Sequence, residues 1–127
     1  MSQHAAEAAE AALAAYAPYS RFRVGAVAVA PDGRSWTGCN VENAALGSTI
    51  CAEGNALSTA VASGYRGPLE VFVACIDADR LDDATPCGNC RQLMAELQVT
   101  HVTVTIDGAE SRRFTLDELM PHRFELP

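Results

Sequence analysis

The chain has 127 residues, is 49% hydrophobic and 20% charged, and carries a formal net charge of -7. That length suits one domain around one core, and that composition excludes a disordered chain. The acidic balance and the complete lack of lysine exclude a basic track for nucleic acid or a cationic face for anionic lipid, so a small neutral ligand is the expected partner.

The run AAEAAEAALAAYA near the start is interrupted by Glu7 and Glu10 and is shorter than the about 20 apolar residues a membrane span needs. Alanine with leucine and tyrosine at helical spacing predicts a helix over about residues 4 to 16, stopped by Pro18. FRVGAVAVA predicts a strand from Phe22 to Ala30, PDGR a turn, and Ser35 to Asn40 a second strand, together a hairpin. Apolar residues at helical spacing predict a helix from Cys51 to Ser63, closed by Gly64.

The continuous β-prone run from Glu70 to Ile76 predicts a strand covered on both faces. Cys90 to Leu97 reads as a helix, His101 to Ile106 as a strand, and Thr115 opens a short helix ended by Pro121, followed by a tail. Alternating strands and helices without repeat or linker imply an α/β fold, a mixed sheet with helices on both faces, in a single domain over residues 1–127.

The chemistry-bearing residues lie in two short segments, ICAEGNAL and TPCGNCRQL. Five cysteines make an odd disulfide framework, and no cleavable signal sequence is read at the start, so reduced thiols in a cytoplasmic protein are expected. Each of the two segments opens a helix directly after a loop, and the positive end of a helix favours the thiolate that zinc binds. Cys51, Cys87 and Cys90 would supply three ligands to a zinc ion and leave a fourth position for water, the pattern of a catalytic site.

Glu53, two residues beyond a ligand, is placed to move protons to and from that water. Taken alone, TPCGNC fits a redox dithiol as well as zinc, and Cys-Ala-Glu alone is uninformative; the two together point to catalytic zinc. Cys39 and Cys75, in predicted strands, read as small buried apolar residues, with a fourth ligand in a structural metal site as the lesser alternative for either. His4, His101 and His122 lack metal-ligand spacing and read as surface or boundary residues.

A ligand-x-Glu followed by Pro-Cys-x-x-Cys resembles the zinc nucleoside and nucleobase deaminases. PYSRFRVGA, GCNVENAA, ICAE, PCGNCRQL and LMPHRF, in that order, resemble the small homotetrameric cytidine deaminases over nearly the whole chain. The resemblance implies a three-layer α/β/α sandwich around a five-stranded mixed sheet, and hydrolytic deamination of cytidine or deoxycytidine with Glu53 as proton shuttle. It also implies a nucleoside substrate held by Phe22, Asn40, Glu42 and the backbone of Ala52. Phe124 corresponds to an aromatic that reaches a neighbouring subunit's site in a homotetramer with shared active sites.

Two departures stand out. The family's arginine after the catalytic glutamate is replaced by Gly54 and then Asn55, leaving Arg91 and the helix ends to offset three thiolates. Leu46 replaces a common aromatic. Both bear on substrate identity, so deamination of another amino-heterocycle, such as a blasticidin-S-type nucleoside, a modified nucleoside or a free base, is the competing expectation. A zinc-stabilised module or an RNA-editing domain is a further one, and the latter lacks the basic path that a polymer requires.

Overall fold

The computed structural model describes residues 3–106 and 110–127. Five strands form one sheet: β1 (Val24–Val29), β2 (Ser35–Cys39), β3 (Leu69–Cys75), β4 (Val99–Ile106) and β5 (Glu110–Thr115), in the order β2-β1-β3-β4-β5. β3 and β4 are parallel, and the other neighbours are antiparallel, so the sheet is mixed. Helix α1 (Gln3–Ala12) covers one face, packed on β1 and β3. Helices α2 (Ala52–Ala62), α3 (Gly88–Glu96) and α4 (Leu116–Leu119) lie on the other, which makes the expected three layers.

Alternation along the strands divides the core in two. Leu69, Val71, Val73 and Cys75 of β3 join Val102 and Val104 of β4 in the main core with Leu57 of α2 and Met94 of α3. The opposite face, with Val27 and Ala74, packs against Ala8 of α1. Fully burying a side chain the size of Leu57 contributes about 1.5–3 kcal/mol, so these layers fix where the helices begin.

The helix near the start ends at Ala12, earlier than its alanine content predicts. Tyr16 leaves the helical path to bridge Val41, donating its N–H to the Asn40 carbonyl, and this tertiary pairing outweighs local propensity. The helix predicted from Cys90 starts at Gly88 instead, with Cys87 as its N-cap. β5 is absent from the residue-by-residue reading because ESRRFT is polar and charged; it is an edge strand, paired only with β4, and edges tolerate such residues. The other edge, β2, carries Trp36, whose ring lies 5.3 Å from that of Tyr65, with the Arg34 guanidinium over both rings.

Two glycines let helices press on the sheet. A Cβ at Gly25 would lie 2.0 Å from the Ala8 carbonyl oxygen of α1, and one at Gly38 would lie 2.5 Å from the Ala56 nitrogen and 2.7 Å from the Ala52 oxygen of α2. Gly25→Ala and Gly38→Ala should therefore each cost about 1–3 kcal/mol by overpacking against backbone. Gly47, with nothing within 4 Å of its added Cβ, should accept alanine at no comparable cost. Denaturant unfolding of the three variants checks this, and equal stability of all three would contradict the packing described.

Candidate active site

The site forms where the starts of α2 and α3 meet beyond the carboxyl end of β3. Cys51 is the N-cap of α2 and Cys87 the N-cap of α3, both with extended backbone and neither making a side-chain capping bond. Each thiol is therefore free to point away from its own helix while sitting at the helix's positive end. Cys90, in the first turn of α3, completes the group. The three sulfurs all lie within 4.8 Å of one another, with Cys51 Sγ and Cys87 Sγ 4.0 Å apart.

A tetrahedral zinc with Zn–S bonds of about 2.3 Å sets its sulfurs about 3.8 Å apart, so this donor set fits zinc with small adjustments. The thiols are graded in exposure: Cys90 is buried, Cys51 half-buried and Cys87 exposed. In the metal-free protein the hydrogen bond from the Cys90 thiol, helped by Cys87, draws Cys51 down to about 6 against the opposing effect of burial. The same bond, together with burial, pushes Cys90 up. A metal bound there would displace the thiol protons.

Glu53, in the first turn of α2, is 5% exposed. Burial, with a smaller contribution from the nearby Cys51 charge, raises its carboxyl to about 7 against the opposing pull of its own backbone N–H. No cation pairs with it among the described residues. A carboxyl poised near neutrality can both accept and donate a proton at working pH.

A cleft of about 390 Å³ opens beside these groups. Of the residues expected at the site, Cys90 lies buried behind the lining, while Phe22, Asn40, Glu42, Cys51, Ala52, Glu53 and Cys87 line it. Phe124 does not; it stands on the tail, 67% exposed, with its carbonyl oxygen accepting from Gln92 Nε2 at 2.9 Å. Sequence reasoning missed Ser20, Thr49, Cys75 and the short turn bearing Asp83 and Ala84, all of which also line the cleft. Only Ser20 carried a signal, being within the PYSRF motif.

Asn40 and Glu42 are each 7% exposed and already bonded to the neighbouring chain segment. Asn40 Nδ2 donates to the Phe22 carbonyl at 2.8 Å, and its Oδ1 accepts from the Val24 N–H at 2.9 Å. Glu42 accepts from the backbone N–H groups of Tyr19 and Ser20 and from the Ser20 hydroxyl. Those bonds, the hydroxyl's first, hold the Glu42 carboxyl below the usual carboxylate range against desolvation. Each side chain keeps a lone pair or N–H for a ligand.

Where the sequence lacks the family arginine, Gly54 has open space around it, and Asn55 Nδ2 donates to the Cys39 carbonyl at 2.7 Å, tying the first turn of α2 to the end of β2. Arg91 is occupied with backbone, donating through Nε to the Pro86 carbonyl at 2.8 Å and through Nη1 to that of Leu119 at 2.9 Å. It braces the loop before Cys87. Leu46 is exposed and lies outside the cleft.

A mixed-sheet sandwich that gathers three cysteines at two helix starts beside a buried carboxyl defines a class of zinc hydrolases, and comparison with known proteins makes the class specific. Residues 1–106 match the cytidine and deoxycytidylate deaminase zinc-binding region. The cytidine deaminase of Halalkalibacterium halodurans is 41% identical over 107 residues, 83% of this chain and 79% of that protein. That of Mycobacterium tuberculosis is 46% identical over 107 residues, 84% and 76% of the two chains. The crystal structure of cytidine deaminase from Burkholderia pseudomallei superposes with a TM-score of 0.86 at 40% identity, over 98% of this chain and 100% of that one. The chain belongs to the cytidine and deoxycytidylate deaminase zinc-binding family.

Protein purified without chelator should carry about one zinc per chain. Cys90→Ser keeps the branching of the buried side chain with a slightly smaller atom and removes the soft ligand, so zinc content measured by elemental analysis should fall sharply. Full zinc in that variant would exclude Cys90 from the ligand set.

Proposed function

We propose that this chain hydrolyses cytidine and deoxycytidine to uridine and deoxyuridine, with Cys51, Cys87 and Cys90 as zinc ligands and Glu53 as proton shuttle. The single observation that carries the reading is one cleft lined together by thiols, a near-neutral carboxyl, Asn40 and Glu42. Bound zinc supplies Lewis acidity and lowers the pKa of water at the site. Glu53 accepts the two protons of the attacking water in turn and delivers one to the ring nitrogen and one to the departing amine. The oxygen of water becomes the 4-carbonyl, and the amino group leaves as ammonia.

Substrate orientation falls to other residues of the same cleft. Asn40 and Glu42 offer their remaining hydrogen-bonding capacity to the sugar hydroxyls, Phe22 packs beside the nucleoside, and the backbone of Ala52 meets the base. Free thiols throughout the described residues support a cytoplasmic setting, and a nucleoside substrate supports a place in pyrimidine nucleoside salvage.

Glu53→Gln keeps the shape and removes the base, so ammonia release from cytidine should fall by at least about 10²-fold while zinc stays bound. Near-normal turnover would remove Glu53 from the mechanism. The unmutated protein should prefer cytidine strongly over free cytosine, because a site built to bond hydroxyls is left with unpaired groups when they are missing. Equal or better turnover of cytosine, or of a blasticidin-S-type nucleoside, in the same ammonia assay would replace the nucleoside assignment.

The assembly is a homotetramer with shared sites. Its support is Phe124, outside its own cleft, together with Leu126 at 77% exposure and with Tyr16, Tyr19, Leu46 and Ile50, which are exposed apolar side chains that water would leave uncovered in a monomer. Light scattering should give about four times 13.4 kDa. Truncation before Phe124 should raise the KM for cytidine and leave zinc in place. A monomer with full activity would refute shared sites.

A further inference from the structure

Glu42 is a carboxylate at 7% exposure with no cation against it among the described residues. Its charge is met instead by three donors from one short segment: the backbone N–H groups of Tyr19 and Ser20, at 3.0 and 3.1 Å from Oε1, and the Ser20 hydroxyl on Oε2. The hydroxyl has no freedom to turn elsewhere. Ser20 Oγ accepts the Phe22 N–H at 3.1 Å, which directs its single proton towards Glu42. Phe22 is fixed in turn by Asn40, whose Nδ2 holds the Phe22 carbonyl.

Between Ser20 and Phe22 stands Arg21 at φ 58°, the left-handed region that L side chains seldom occupy. Its guanidinium makes no ion pair among the described residues, whereas its N–H closes a turn onto the Ala17 carbonyl at 2.9 Å. An unfavourable backbone conformation at a cleft wall persists only where its surroundings hold it. Here it turns two neighbours towards the cleft at once, Ser20 onto Glu42 and Phe22 into the lining.

We propose that Ser20 is a positioning residue for substrate recognition: its hydroxyl fixes Oε2 of the Glu42 carboxylate, as the backbone N–H groups of Tyr19 and Ser20 fix Oε1, so that Glu42 meets the substrate solely as an acceptor of hydroxyl protons. This rests on the reading of Glu42 as a sugar contact. A carboxylate saturated by fixed donors on one side and open on the other selects ligands that bring an O–H, and rejects those that do not. The serine takes no part in the chemistry at the thiols.

The test compares Ser20→Ala, Ser20→Thr and Glu42→Gln with the unmutated holoenzyme on cytidine, 2′-deoxycytidine and 3′-deoxycytidine. Ser20→Ala should raise the KM for cytidine about tenfold, the scale of one charge-assisted hydrogen bond, with kcat within about twofold and zinc content unchanged. It should also compress the preference for cytidine over the analogue that lacks the hydroxyl read by Glu42. Ser20→Thr, which keeps the hydroxyl, should restore both. An unchanged KM in Ser20→Ala alongside a raised KM in Glu42→Gln overturns the role of Ser20, as does a loss of kcat equal on all three substrates. An unchanged KM in Glu42→Gln overturns the underlying sugar reading instead.

Discussion

Everything at this site depends on two helices starting at the same point in space. Cys51 and Cys87 are 36 residues apart in the chain, and their sulfurs are 4.0 Å apart only because α2 and α3 lie on the same face of one sheet with their first residues converging. α2 reaches that position by resting its backbone on Gly38 and by the bond from Asn55 to the end of β2. α3 reaches it through the loop that Arg91 braces against α4. The geometry at the metal is thus set by packing contacts well away from it.

Convergence creates an electrostatic problem, and no side-chain cation among the described residues pairs with these groups to help a bound zinc ion solve it. Three thiols and a buried carboxyl meet in one place, and Arg91, next to Cys90 in the chain, has turned to carbonyl groups. What remains to favour negative charge is the unpaired N–H groups and dipoles of two helix starts. Glu53, deeper and more fully desolvated than the half-buried Cys51, instead keeps its proton to about neutrality. The same surroundings push two acids in opposite directions.

The zinc-binding segments were legible because their chemistry is local: a thiol at a helix start and a glutamate two residues on can be seen in eight letters of sequence. The longer elements were legible for a similar reason, since Val71, Val73 and Leu57 carry their period in the chain itself. The hidden parts are non-local. The early end of α1 is imposed by Tyr16 pairing with Val41, and β5 exists because β4 offers it an edge. Asn40 and Glu42 were recognisable as site residues, but their double duty, stitching the 19–24 segment while facing the cleft, depends on partners 16 to 23 residues away. Arg21 gives no hint of its left-handed backbone in its side chain.

The stack of Arg34, Trp36 and Tyr65 on the outer strand has a practical consequence. Trp36 is the only tryptophan in the chain, and it pairs with Ala28 towards the far end of β2 from Cys39, about 10 Å of strand away. Its indole emission is therefore governed by the two side chains packed against it and by the integrity of the β2 edge. Fluorescence would follow separation of α2 and the hairpin as the chain unfolds, while a nucleoside entering the cleft would leave the signal dark to its arrival.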